Sequence, residues 1–371
     1  MIPVNTPCLN GNEKIYINEC IDTGWISSEG PFVKRFEDGV SNYIGRNYAT
    51  ACSNGSAALD IAVKALELSS GDEIIMPSFT IISCAQSLVI QGIKPVLVDS
   101  HYDTFNMIVE DIEAKITLKT KAIMIVHIYG LTVDIDPILK IANKYNLKVI
   151  EDAAEVFGHV YKGKKCGSFG DISTFSFYPN KHITTGEGGM ILTDDPKIDQ
   201  KIKGLRNLCF STDMDKRFIH EDLGWNYRMT NIQAALGLAQ LEQIEKVLKK
   251  KKDIGAKYNQ LLKDITDINL PISKTDYCEN IYWVYAITIK DNCKITAKEA
   301  MKKLAEFKIG TRPFFYPMHL QPVFKKMKLF KKENHPNSSK LYEKGFYIPS
   351  GLGISDFDIK EVSNRLHQIF E

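Results

Sequence analysis

Between about residue 55 and residue 200 the apolar positions of the chain switch back and forth between two periods. Over 56–66 (SAALDIAVKAL) they recur every three to four residues, which predicts a helix. The next run, Glu73-Ile-Ile-Met-Pro77, is short and continuous and predicts a buried strand. The alternation continues with a helix over 83–91, a strand over 95–99 and a weakly helical stretch over 109–116. A strongly apolar strand over 121–127, a helix over 135–145 and a strand over 148–152 complete it. Strands that are apolar on both faces and separated by helices predict an α/β domain with a mostly parallel sheet covered on both sides. Such open sheets hold their ligands at the carboxyl ends of the strands, and Asp152 ends one of them.

Two later stretches break the rhythm. Residues 205–225 are polar, aromatic and aperiodic, and a loop of that length in a compact domain is usually functional or at an interface. From Thr230, apolar residues at 232, 235, 236, 239, 241, 244 and 248 predict one long amphipathic helix leading into a second domain. Past about residue 265, alternation over 282–289 predicts a strand, with helices over 298–307 and 358–370. The expected division is a large domain over 1–245, including an N-terminal segment, and a smaller C-terminal α+β domain over 246–371.

Composition mainly excludes. A hydrophobic fraction of 44% and a charged fraction of 25% are ordinary for a globular chain of 371 residues. With 47 basic and 45 acidic side chains the net charge is +2, which argues against nucleic acid as a partner. The dense run Lys249-Lys-Lys-Lys252 continues the amphipathic helix and is expected to be a solvated face. Eight scattered cysteines without a C-x-x-C pair suit a reducing, cytoplasmic compartment. There is no secretory signal pattern and no apolar run long enough for a bilayer, so no membrane partner is expected.

The chemistry gathers around Lys181, set between the aromatic run Thr174-Phe-Ser-Phe-Tyr178 and the turn Gly186-Glu-Gly-Gly189. A lysine there suits an amine that must move between two carbonyl carbons. Asp152 suits the partner of a protonated pyridine nitrogen, and Glu155 lies close enough to flank the same ring. Ser53-Asn54-Gly55-Ser56 opens the first helix of the large domain, where backbone N–H groups and the helix dipole favour an anion. Alone, each has an ordinary reading: Asn54 and Asp152 as helix caps, Lys181 as a surface lysine. Together they predict a site for pyridoxal 5'-phosphate, with Ser176 beside the phosphate.

The ordered set SNGSAALDIA, GDEIIMPSFT, VIEDAAE, GSFGDISTFSFYPNKHITTGEGGM and NYRMTNIQAA, running from Gly24-Trp-Ile-Ser-Ser-Glu-Gly30 to Tyr347-Ile-Pro-Ser350, resembles the DegT-type nucleotide-sugar aminotransferases. These are fold-type I pyridoxal phosphate enzymes, and the resemblance implies a seven-stranded, mostly parallel sheet flanked by helices. It implies Lys181 as the Schiff-base lysine, Asp152 as the pyridinium partner and Glu155 near the ring hydroxyl. Ser176 and the Asn54-Gly55-Ser56 backbone would contact the phosphate, joined by Asn226 from a neighbouring subunit. That last role implies a homodimer with shared active sites. Trp25, Ser27, His182, Arg228, Tyr316 and His319 fall on the sugar-nucleotide side, although His182 also fits a plain loop residue and Phe314-Phe-Tyr316 also fits packing. One position departs from the family: Ile81 stands where an aromatic residue usually covers the pyridine ring.

The implied reaction moves the amino group of L-glutamate to a nucleotide-linked 4-keto-6-deoxy sugar. VHIYG (126–130), NYRMTN (226–231) and RPFFYPMH (312–319) lean toward the branch acting on GDP-4-keto-6-deoxy-D-mannose, whose products enter O-antigen lipopolysaccharide. Alternatives are a dTDP- or UDP-4-keto-6-deoxyglucose substrate, or amination at carbon 3. A related dehydratase branch carries histidine in place of the lysine, so Lys181 favours transamination. A catalytically idle regulator would need an added DNA-binding domain, for which the first twenty residues leave no room.

Overall fold

Short apolar strands and the helices between them build one seven-stranded sheet. The computed structural model describes residues 1–211, 213–331 and 333–370. Its strands are β1 (Tyr48–Cys52), β2 (Glu73–Pro77), β3 (Lys94–Val98), β4 (Thr120–Val126) and β5 (Lys148–Asp152). A small ribbon, β6 (Val160–Tyr161) and β7 (Lys164–Lys165), loops out before β8 (Ile172–Ser176) and β9 (Gly189–Thr193). The order is β1-β9-β8-β5-β4-β2-β3, parallel except that β9 runs against both neighbours.

Successive residues of the central strands enter different cores. Ile75, Ile123 and Ile125 pack on one face, and Ile74, Met76, Ala122 and Met124 on the other. Both faces are therefore dry, which is why these strands read as unbroken apolar runs. The predicted helices appear at Gly55–Ala65, Ile82–Ile90 and Ile135–Tyr145. The weak pattern at 109–116 becomes two 3₁₀ turns, Val109–Asp111 and Glu113–Lys115. There the buried Val109 and Ile112 are three apart, the repeat of a 3₁₀ helix.

The long helix expected after Thr230 is two helices, Asn231–Leu241 and Ile244–Leu262. Thr230 starts the first with a reciprocal capping box to Gln233. At the break, the Glu242 carboxylate accepts from Asn12 Nδ2 at 2.7 Å and Tyr16 OH at 2.6 Å, tying it to helix Glu13–Thr23.

The second of these helices belongs to both units. Ile244, Val247 and Leu248 join a core of the large sheet, while Ile254, Tyr258 and Leu262 pack with Tyr285, Ile287 and Phe346. The boundary expected at 245/246 thus falls within the first turn of a continuous helix. The N-terminal segment also departs from expectation. Ile2 bridges Ile309, Ser350 N–H donates to Val4 O, and Gly353 N–H donates to Thr6 O, so residues 2–6 bond to the smaller unit. That unit has a four-stranded antiparallel sheet of β10 (Ile268–Asn269), β11 (Tyr285–Ile289), β13 (Gly345–Ile348) and β12 (Arg312–Pro313), in that order. Ala297–Glu306 and Asp356–Phe370 are its main helices.

The basic run needs a correction. Lys249, Lys250 and Lys252 are exposed, but Lys251 is only 4% exposed. It falls on the stripe of Val247, Leu248, Ile254 and Tyr258, so helical spacing carries it inward. Among the described residues no helix is long and apolar enough to cross a membrane.

Candidate active site

The segments that leave β1, β2, β4, β5 and β8 at one edge of the sheet surround a cavity of about 570 Å³. Asn54, Gly55, Ser56, Ile81, Asp152, Glu155, Ser176 and Lys181 all line it. The carboxyl-edge site expected for an open parallel sheet is therefore present.

At the first helix of the large domain, the Asn54 side chain accepts the Ala57 N–H at 2.9 Å and fixes the entry turn. A Cβ added to Gly55 would lie 2.7 Å from Ser176 Cβ, so only glycine lets the helix start approach the end of β8. The result is a small cradle of backbone and hydroxyl groups at a helix N-terminus, suited to a phosphate. Ser56 Oγ and Ser83 Oγ lie 2.8 Å apart beside it.

Asp152 is 3% exposed. One carboxylate oxygen accepts the Ala154 N–H at 3.1 Å, and the other accepts from Cys84 Sγ at 3.3 Å. Burial raises its pKa, and the Ala154 and Cys84 donors oppose the rise along with Lys181. No cation touches this carboxylate among the described residues, so it fits the nitrogen of a protonated ring placed in the cavity. Glu155 has a different setting. Its Oε2 accepts the N–H of Tyr129, a residue in the left-handed region at φ 56°, and its Oε1 lies 3.7 Å from Lys181 Nζ. Burial raises its pKa, against the pull of Lys181.

The Lys181 side chain is 11% exposed, and its Nζ sits 3.9 Å from the centre of the Trp283 ring. Burial lowers its pKa, while Glu155 and Asp152 work the other way. The amine can thus lose its proton more readily than a surface lysine, yet has acceptors at hand when charged. A buried amine, a buried carboxylate across the cavity and a phosphate-sized cradle match the three attachment points of pyridoxal phosphate.

The other predicted residues lie elsewhere. Ser27 and Arg228 line a second cavity of about 540 Å³, with Glu29, Arg206, Asn207 and Arg217. Asn226 is at its edge, bridged to Asn207. Arg217 and Arg228 have no carboxylate partner among the described residues, and the Nε of Arg206 is buried without an acceptor. Trp25 is half exposed, and its carbonyl accepts from Asn231 Nδ2 at 2.6 Å. His182, His319 and Tyr316 line neither of these two cavities. His182 is 1% exposed, enclosed in the protein. His319 is buried between Ser78 Oγ at 2.8 Å and Ser339 Oγ at 3.1 Å. Tyr316 packs edge-on against Tyr342.

Sequence reasoning missed Tyr178, Trp283, Phe315 and Tyr347, which form much of the cavity wall. Trp283 and Tyr347 flank or occupy strands and read as core residues. Cys84, the donor to Asp152, sits inside an apolar helix and gave no signal.

The comparisons agree with this geometry. A model of the DegT/DnrJ/EryC1/StrS aminotransferase family matches residues 7–367. GDP-perosamine synthase of Caulobacter vibrioides is 41% identical, over 99% of this chain and 98% of its own. GDP-perosamine synthase of Escherichia coli O157:H7 is 40% identical, over 100% and 98%. A Streptococcus pneumoniae protein, Spr1654, described as a sugar aminotransferase and solved in its pyridoxal phosphate form, superposes with a TM-score of 0.92 at 25% identity, covering 99% of this chain and 98% of that one. The chain belongs to the DegT/DnrJ/EryC1/StrS aminotransferase family.

Proposed function

We propose that this enzyme transfers the amino group of L-glutamate to carbon 4 of GDP-4-keto-6-deoxy-D-mannose and forms GDP-perosamine. The observation that carries the reading is a single cavity holding Lys181, Asp152 and Glu155, in a chain 41% identical to GDP-perosamine synthase. Bound pyridoxal phosphate supplies an aldehyde that captures amines and a ring that accepts electrons.

The protein's own groups divide the remaining work. Asn54, Gly55, Ser56 and Ser176 would hold the phosphate, while the Asp152 carboxylate would keep a proton on the ring nitrogen. Glu155, 3.7 Å from the Lys181 amine, would stand beside the ring hydroxyl. With its pKa lowered by burial, that amine would serve as the base and acid that moves a proton between the donor's α-carbon and the cofactor. The same steps run in reverse on the keto sugar. Ile81, at the cavity wall, would cover the ring by dispersion without an aromatic face.

The arginine-lined second cavity fits the nucleotide's diphosphate. It supports a homodimer in which Asn226, Arg228 and Ser27 of one subunit complete the site of the other. The compartment consistent with eight free cysteines is the cytoplasm.

The test uses purified protein with added pyridoxal phosphate and glutamate, challenged in turn with GDP-, UDP- and dTDP-linked 4-keto-6-deoxy sugars. The aminated GDP sugar should dominate by mass spectrometry and NMR, and preferential amination of a UDP or dTDP sugar would replace the assignment. In parallel, borohydride should fix the cofactor to wild-type protein, and Lys181→Ala should remove that label. Equal labelling of the variant would refute the role of Lys181. Loss of general acid–base transfer should also cost Lys181→Ala roughly 10²–10⁴-fold in rate.

A further inference from the structure

Lys251 is the one member of the basic run that is buried, and it has no carboxylate partner among the described residues. Its ammonium donates to Trp283 O at 2.9 Å and to Ser350 O at 2.6 Å. Burial without a counter-ion pushes its pKa down to about 7. An uncompensated buried cation is costly, and packing alone would be served better by an apolar side chain of the same length.

What the lysine holds leads directly to the active site. Trp283 follows Tyr282, which is in the left-handed region at φ 50°, and lies two residues before the start of β11. Its indole N–H donates at 2.8 Å to the carbonyl of Asn180, the residue before Lys181. The face of the same indole carries Lys181 Nζ at 3.9 Å. Ser350, the other acceptor, receives the Tyr285 N–H on its hydroxyl at 3.0 Å, which closes the clamp against β11.

We propose that Lys251 is a positioning residue for Lys181. It fixes the Trp283 backbone, and Trp283 in turn fixes both the chain at Asn180 and the platform under the amine. The small unit thereby sets the direction of the reactive amine in the large one. This inference rests on the assignment of Lys181 as the cofactor-attaching lysine.

The test follows apoprotein rather than turnover. Pyridoxal phosphate is added, and attachment to Lys181, an amine–aldehyde condensation that releases water, is trapped with borohydride and timed by peptide mass spectrometry. Pyridoxamine phosphate, which cannot condense with a lysine, gives a separate Kd for the rest of the site. Lys251→Met should slow attachment at least tenfold, with the pyridoxamine phosphate Kd changed less than threefold. Trp283→Leu should slow it similarly, and the double variant should be no slower than either single one. Lys251→Arg should stay within threefold of wild type. A folded Lys251→Met protein with wild-type attachment overturns the proposal. So does multiplicative slowing in the double variant, or a parallel loss of pyridoxamine phosphate affinity. Should Lys251→Met not fold, Lys251→Arg must still hold its rate while Trp283→Leu loses it; failure of either is equally fatal. Absence of attachment in wild type would instead remove the underlying assignment of Lys181.

Discussion

A lysine with a folded pKa near 7 leaves a trace on stability. In the window between that value and its ordinary one, the unfolded chain binds more protons than the native state. Stability should therefore rise with pH from about 7 toward about 10, by an amount on the order of a few kcal/mol for Lys251. Denaturant titrations of wild type and Lys251→Met across this range should diverge in slope; parallel curves would mean that the ammonium is less desolvated than its surroundings imply. At this scale the sequence was readable only in part. Asp152 and Lys181 were legible because a carboxylate at a strand end and a lysine before a glycine turn have few other uses. The burial of His182 and His319 was not, since neighbouring residues in a loop share a motif without sharing a side-chain environment. His182 is enclosed in the protein while Lys181, one residue before it, lines the cavity.

Among the elements, the helix Gly55–Ala65 matters most, because its first turn is both a cap and an anion site. Gly55→Ala should weaken pyridoxamine phosphate binding at least tenfold, because the new methyl would meet Ser176 Cβ at 2.7 Å. Isothermal titration would measure it, and unchanged affinity would show that the cradle can open. Helix positions were legible from their period, since apolar spacing and tertiary burial agree. Where two units compete for the same residues, the pattern misled. At the split, Glu242 bonds to Asn12 and Tyr16, more than two hundred positions away, which helical spacing cannot show. Likewise β11 begins at Tyr285 rather than 282, and Trp283, ahead of it, bonds to Asn180 and Lys251, partners distant in the chain.

For the whole molecule, the shared-site reading makes a quantitative demand. Lys181→Ala and Arg228→Ala each disable one side of every site. Random mixing of the two would give half mixed dimers, each with one intact site, so activity should return to about a quarter of wild type. Two inactive proteins that stay inactive after mixing would instead place Arg228 and Lys181 in the same subunit's site. The overall architecture was legible because alternating strands and helices leave few alternatives. The division at 245/246 was less so, because residues 2–6 and a continuous helix stitch the two units together.

The pairing of β1 with β9 has a further consequence. Tyr48 lies opposite Thr193, about 145 residues later in the chain. During synthesis the first strand must wait, unpaired along that edge, until just over half of the polypeptide has left the ribosome. Pairings between such distant segments close slowly, because the loop entropy is spent before the contacts repay it. A nascent chain arrested before residue 189 should therefore expose its hydrophobic strand edges to chaperones, and release of the next few residues should end that exposure.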